Sequence, residues 1–251
     1  MNIVLSFIYD IAGHTIFYAI ISSKYEYLPD QSVPLSCVTS RVSMPCTKKD
    51  LMLKGEKVNK KELRLWETIT RKTILNHSKF LTVESHTLKL PDGQIIPDWA
   101  WLIIPDAAIV LAMTEDDKFI CFRQTKYAKE GTSLAPVGGM LEPNEAPIDA
   151  AKRELLEETG YETSEWINLG SYILDPNRGI ATMHLFLAMN AKQVAEPNSD
   201  DLEDQELLFL TQDEIENALK AGEFKIISWS AVVAMSLNYL NTTGSQRSSN
   251  N

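Results

Sequence analysis

Residues 138–160 read GGMLEPNEAPIDAAKRELLEETG and concentrate groups that can do chemistry. Asn144 is placed to cap a helix, and Pro147 suits a first helical turn, where a missing N–H costs nothing. On a helix over about 147–159, Ile148, Ala151, Leu155 and Thr159 fall on one stripe that can pack on a sheet. Glu154, Glu157 and Glu158 stand at i, i+3 and i+4 and share a neighbouring face. Three carboxylates crowded in this way repel unless a cation neutralises them. Such a cluster of hard oxygen ligands suits Mg²⁺, or Mn²⁺, ions that keep part of their water and bind substrate phosphates. The Gly138-Gly139 turn lets backbone come close, so the Gly138 carbonyl can join the ligand set. Arg153 lies off the apolar stripe and can reach back to Glu145, where a bidentate pair would fix the loop to the helix. Gly160 takes the position where the chain leaves the helix.

These residues need a scaffold, and the pattern around them supplies one. Residues 57–75 mix Lys, Arg and Glu with Leu65, Trp66 and Ile69, a spacing that predicts a charged helix. Residues 80–90 (FLTVESHTLKL) and 94–104 read as the two arms of a hairpin around Pro91-Asp92-Gly93, a turn in which Pro presets φ and Gly tolerates a positive one. Residues 107–113 (AAIVLAM) form a short apolar run of buried-strand type. Asp116-Asp117 makes a turn, and 118–123 is a further strand. A loop then ends in Gly138-Gly139, ahead of the helix. Strands follow at 167–174, 182–189 and 205–210. Thr211 with Glu214 has the reciprocal capping-box pattern, Gly222 marks an exit, and a last helix covers about 228–240. Helices mixed with antiparallel hairpins predict an α/β or α+β class, not a purely parallel sheet. The expected organisation is an N-terminal extension over 1–79, a catalytic domain over 80–240 and a disordered polar tail over 241–251.

The glutamate segment resembles the Nudix box: Gly139, five residues, Glu145, seven residues, then Arg153-Glu154-Leu155-Leu156-Glu157-Glu158-Thr159-Gly160-Tyr161. Every glycine and charged position is filled, and the departure is Tyr161, where an aliphatic residue is usual. Looser likeness to Nudix proteins of the ADP-ribose pyrophosphatase type runs from about Trp99 to Leu240. The resemblance implies an α/β/α sandwich with a mixed sheet. It also implies hydrolysis of the pyrophosphate bond in a nucleoside diphosphate linked to another moiety, ADP-ribose or an ADP-sugar first, giving AMP and a sugar phosphate. Carried over, Glu154 and Glu158 are the main metal ligands, with Glu157 contributing and the Gly138 carbonyl joining them. Gly139, Glu145, Arg153 and Gly160 are the structural members of the box. Related enzymes place a general-base carboxylate in a later loop; here the acidic stretch 200–206 (DDLEDQE) offers Glu203, with Asp201, Asp204 and Glu206 as rivals and the box residue Glu157 as the other catalytic choice. Pro176 lies fifteen residues past Tyr161, a spacing common in ADP-ribose-type members, and Arg178 in the same turn can meet a phosphate or ribose. Trp99 and Trp101 alternate, so both face one side of their strand. Trp99 suits stacking on a base, with core or dimer packing as the alternative. Leu134-Ala135-Pro136-Val137-Gly138-Gly139 and Arg123-Gln124-Thr125-Lys126-Tyr127 depart from the family pattern where substrate or a dimer partner touches. Related enzymes are frequently dimers, so the resemblance is compatible with a homodimer, and the sequence leaves the oligomeric state open. A Nudix-fold module that binds a nucleotide without turnover is the alternative, and the intact box argues against it.

Composition bounds the rest. The 251 residues hold 24 Lys plus Arg against 34 Asp plus Glu, a formal net charge of −10, which argues against nucleic acid as a partner. A phosphate-bearing small molecule stays compatible because a divalent ion inverts the local charge. Three cysteines without paired spacing point to a reducing compartment and a cytoplasmic location. Residues 1–23 are mostly apolar but are interrupted by Asp10, Gly13 and His14, which leaves three readings: a membrane contact, an organellar targeting segment, or an ordinary buried element. His184, Trp229, Met183, Met189, Met235 and Cys121 read as structural.

Overall fold

The computed structural model describes residues 63–198 and 204–247, with the backbone of two short strands further upstream. The chain divides into two compact units, residues 1–60 and 61–251. In the first, β1 (Val4–Tyr9) pairs antiparallel with β2 (Thr15–Ile20). In the second, β3 (Glu67–His77), β4 (Leu81–Lys89) and β5 (Ile95–Ile103) form an antiparallel sheet. The strands that follow are β6 (Ala107–Thr114), β7 (Phe119–Lys126), β8 (Lys129–Ala135) and β9 (Val137–Met140). After helix α1 (Pro147–Thr159) come β10 (Tyr161–Glu162), β11 (Glu165–Asp175), β12 (Ile180–Gln193) and β13 (Gln205–Leu210). Helices α2 (Gln212–Lys220) and α3 (Ile227–Arg247) close the chain.

Strands β6 to β13 make one eight-stranded sheet with the path β10-β12-β6-β7-β13; β11 adds to β12, β8 to β7 and β9 to β6. The β12–β6 pair is parallel and the others are antiparallel, so the sheet is mixed. Strand β6 reads AAIVLAMT and is buried almost throughout, as a strand covered on both faces must be. Helices α1 and α3 both pack on it, giving the α/β/α sandwich. The core joins Val110, Leu111, Phe119 and Ile120 of the sheet to Leu155 of α1 and Val232 and Val233 of α3. Among the described residues no helix is long and apolar enough to cross a membrane. The readings for residues 1–23 rest on side chains outside the described residues.

Four sequence expectations need correction. The charged helix over 57–75 is the strand β3 from Glu67 onward, with residues 57–62 outside the described range. Thr68, Ile69, Thr70, Thr73 and Ile74 supply the reason, because β-branched side chains favour extended backbone. Gly138 and Gly139 lie inside β9, paired to β6, and not at the end of a loop. The helix cap is Ala146, without a side-chain hydrogen bond; Asn144 lies two residues upstream in a left-handed conformation, with φ of 66°. Helix α3 continues to Arg247, past the expected end at 240. The Pro91-Asp92-Gly93 turn forms, with Gly93 at φ 92° and the Asp92 carboxylate accepting from the Gln94 N–H at 3.0 Å.

Candidate active site

Helix α1 buries Ala150, Ala151, Leu155 and Thr159 against the sheet. That docking fixes its rotation and leaves Arg153, Glu154 and Glu157 turned toward β9 and the loop after it. Gly160 closes the helix at φ 74°, its N–H donating to the Leu156 carbonyl. A Cβ there would overlap the Ala195 carbonyl, so both conformation and space require glycine.

Arg153 ties this region together. Its Nε donates to Glu145 Oε1 at 2.8 Å and its Nη2 to Glu145 Oε2 at 3.0 Å, a bidentate pair. Its Nη1 donates to Glu154 Oε1 at 2.8 Å and to Glu157 Oε2 at 3.1 Å, and Nη2 also reaches the Met140 carbonyl at 3.1 Å. The same Glu145 carboxylate accepts the Glu142 N–H at 2.8 Å, which fastens the loop before the helix. One guanidinium therefore balances three carboxylates and the end of β9, where composition alone calls only for some cation. The Arg153 guanidinium holds the Glu145 carboxyl below the usual glutamate range. A lowered folded value adds stability in full above about pH 4.3, the unfolded value, and loses it as pH falls through the folded value. The acid limb of a stability-versus-pH curve is thus expected to be shallower in Glu145→Gln than in the wild type. Equal acid limbs would contradict this coupling.

The glutamates differ in surroundings. The Glu154 side chain is 13% exposed and that of Glu157 48%. Glu158 Oε2 accepts the Gly138 N–H at 3.1 Å, linking α1 to β9. Gly139 has a specific use: a Cβ on it would overlap the Glu154 carboxylate, which fills the space that a side chain would take. Gly139→Ala is expected to push that carboxylate off β9 and lower turnover by about 100-fold, the scale of a 1 Å misplacement, while the fold persists. Turnover and circular dichroism of the variant check this; wild-type turnover would contradict it.

Gly138, Gly139, Arg153, Glu154 and Glu157 border a cavity of about 1080 Å³ whose opposite wall carries Lys79, Phe80, Ile104 and Asp106. Sequence reading missed that wall. Lys79 and Phe80 sit in the β3–β4 turn and Asp106 just before β6, and no local pattern marks them as neighbours of the box. Asp106 accepts from the Thr182 N–H at 2.7 Å through Oδ1, and its carbonyl accepts from the Leu141 N–H at 2.9 Å.

The remaining expected site residues are scattered. Glu203 and Asp201 lie outside the described residues, and Asp204 and Glu206 are exposed beside and on β13. Pro176 borders a second cavity, of about 580 Å³, together with Trp99 and Trp101. Arg178 instead pairs with Asp175 at 2.9 Å. The Trp99 Nε1–H donates to the Asn177 carbonyl at 2.6 Å, which joins β5 to the turn after β11. His184 is satisfied by Ser171 Oγ at 2.8 Å, and burial pushes the Cys121 thiol up to about 12.

With this geometry in view, the NUDIX domain family model matches residues 104–230, about half of the chain and all of the box. The chain belongs to the Nudix family. This Nudix protein is 31% identical over 136 residues to the ADP-ribose pyrophosphatase of Bacillus subtilis (strain 168), covering 54% of this chain and 72% of that one. It is 30% identical over 174 residues to the methanol dehydrogenase activator of Bacillus methanolicus, covering 68% and 92%. A crystal structure of an ADP compounds hydrolase shares its fold, with a TM-score of 0.62 at 20% identity over 73% of this chain and 98% of the other. The Nudix domain and these relatives put the protein among the pyrophosphohydrolases, in the group resembling ADP-ribose pyrophosphatases.

Proposed function

We propose that this Nudix hydrolase cleaves the pyrophosphate bond of a nucleoside diphosphate linked to another moiety, ADP-ribose or an ADP-sugar, to give AMP and a sugar phosphate. The observation that carries this reading is the arrangement of Glu154 and Glu157 with β9 along one large cavity. The names of the relatives, an ADP-ribose pyrophosphatase and ADP compounds hydrolases, support the substrate class. In this reading residues 80–240 carry the catalytic fold, and β3 of the preceding segment completes its three-stranded sheet.

The donor chemistry suits a divalent ion, although among the described residues no three carboxylates converge as a ligand group: Glu154 and Glu157 turn to Arg153, and Glu158 accepts the Gly138 N–H. Glu154, Glu157 and Glu158 offer hard oxygens, and the side-chain-free face of Gly139 receives the Glu154 carboxylate. Glu154, Glu157, Glu158 and the Gly138 carbonyl would hold Mg²⁺, with Mn²⁺ able to replace it. When bound, such an ion offsets the charge of the diphosphate and polarises it. The protein's own residues do the rest. Arg153 and Glu145 hold the loop and helix in register. Glu203, or the box residue Glu157, takes the proton of the attacking water. Trp99 stacks on the base, Pro176 shapes that end of the site, and Arg178 meets a phosphate or ribose.

The apolar side chains exposed along β3, among them Ile69, Ile74 and Leu75, give a second copy of the chain a face to cover. Hydrolysis of a panel of ADP-ribose, ADP-sugars and other nucleoside diphosphate derivatives in H₂¹⁸O tests the reaction. The expected result is AMP plus a sugar phosphate, one of them carrying the label. Absence of cleavage across the panel in Mg²⁺ or Mn²⁺ would overturn the reading.

A further inference from the structure

The 580 Å³ cavity on the three-stranded sheet has a makeup at odds with the chain as a whole. Arg64, Trp66, Arg71, His86, Trp99 and Trp101 border it, and no Asp or Glu is among its lining residues. The chain as a whole carries a net charge of −10. Arg71 of β3, His86 of β4 and Trp99 of β5 are direct cross-strand partners, so they form a row across one face of the sheet. Among the described residues, neither Arg64 nor Arg71 makes an ion pair.

The aromatic side chains of the cavity contact one another. Trp66 meets Trp99 edge-on at 5.4 Å between ring centroids, and His86, only 3% exposed, stacks on Trp101 at 5.2 Å. Glu84 Oε2 lies 2.8 Å from His86 Nε2 and holds that ring from outside the cavity lining. The indole of Trp101 occupies the space that a Cβ on Gly179 would need, which locks the 176–179 turn against β5.

A third cavity lies between this one and the catalytic one along β5. It measures about 320 Å³, shares Trp101 and Pro176 with the first, and shares Ile103, Ile104 and Asp106 with the space above Glu154. Ile103 lies four residue steps along the extended strand from Trp99, about 13 Å. A substrate whose diphosphate lies at the glutamates would thus place its base among the tryptophans. The two guanidinium groups would then face an anion other than that diphosphate.

Resting on the pyrophosphatase reading above, we propose that the preferred substrate carries a separate phosphate on its nucleoside, at the ribose 2′ or 3′ position, held by Arg64 and Arg71. Planar guanidinium groups bind phosphate oxygens in pairs, and indole faces take the base.

Tryptophan fluorescence of the full chain in EDTA tests this without turnover. The probes are adenosine 2′,5′-bisphosphate, adenosine 3′,5′-bisphosphate and AMP. The expected result is that one bisphosphate binds at least tenfold more tightly than AMP, and that the Arg64→Ala/Arg71→Ala double variant brings the two to parity. Which bisphosphate wins distinguishes the 2′ from the 3′ source. Equal binding of all three, no quenching by any, or a preference that survives in the double variant would overturn the proposal. Hydrolysis of ADP-ribose is measured in parallel. Cleavage with no bisphosphate preference rejects only this inference, whereas failure to cleave the full panel rejects the pyrophosphatase reading itself.

Discussion

Glu157→Gln is expected to lower kcat by about 100- to 1000-fold at saturating substrate and Mg²⁺, with little change in Tm. The substitution keeps the shape of the side chain and an oxygen within reach of Arg153 Nη1, now at 3.1 Å, so the helix and loop stay together. It removes one negative charge from the group that would hold the ion. Losing a single preorganised electrostatic contact at a reacting centre typically costs on this scale. Glu157 is the suitable position because nearly half of its side chain is exposed on the cavity side, so a neutral amide there meets water and carries no burial penalty. Steady-state kinetics with circular dichroism as the fold control gives the answer. Turnover within threefold of wild type would remove Glu157 from the reaction.

Arg153→Ala is expected to destabilise the protein by about 2 kcal/mol and to abolish measurable turnover. The guanidinium donates to both oxygens of Glu145, to Glu154, to Glu157 and to the Met140 carbonyl. Its removal leaves the Glu145 and Glu154 carboxylates, 14% and 13% exposed, facing one another's charge without that cation. Breaking a half-buried pair falls between the cost of about 0–1 kcal/mol for an exposed pair and about 3–5 kcal/mol for a fully buried one, because the charges left behind regain only part of their water. Arg153→Lys is expected to recover little, since a single ammonium cannot span a bidentate carboxylate and three further acceptors. Urea denaturation midpoints at neutral pH measure the loss. A change below about 1 kcal/mol in the alanine variant would show that the loop and helix hold without the guanidinium.

The parts of the molecule legible in the sequence are those set by local pattern. Residues 107–113 announce a strand buried on both faces because nothing polar interrupts them. The glutamate spacing announces a shared helix face, and Thr211 with Glu214 forms the capping box that the spacing implies. The misread parts are those decided by distant partners. Leu65, Trp66 and Ile69 match a helical stripe over so short a window that β pairing with Leu81–Lys89 overrides it. Gly138 and Gly139 look like a turn until the pairing of Val137–Met140 with β6 is known. The cap expected at Asn144 moves to Ala146 because the Glu145 carboxylate, held by Arg153, already secures the loop.

In the candidate site, the box residues are in the sequence but the opposite wall is not. Lys79, Phe80 and Asp106 reach the cavity only through the docking of one sheet beside another. The row Arg71, His86 and Trp99 depends on cross-strand register, which single-strand alternation does not give. Arg64 and Arg71 fall in sequence within the stretch read as a charged helix, although the fold sets them beside three indoles.

The central claim is that the carboxylates of α1, together with β9, hold a divalent ion in the presence of a nucleotide. Electron paramagnetic resonance of Mn²⁺ titrated into the protein with the α,β-methylene analogue of ADP-ribose measures this directly. Loss of the free-ion signal at one site per chain in the wild type, absent in the Glu154→Gln/Glu157→Gln/Glu158→Gln variant, is the predicted result. Equal Mn²⁺ uptake by the two folded proteins, or uptake by neither, would contradict it.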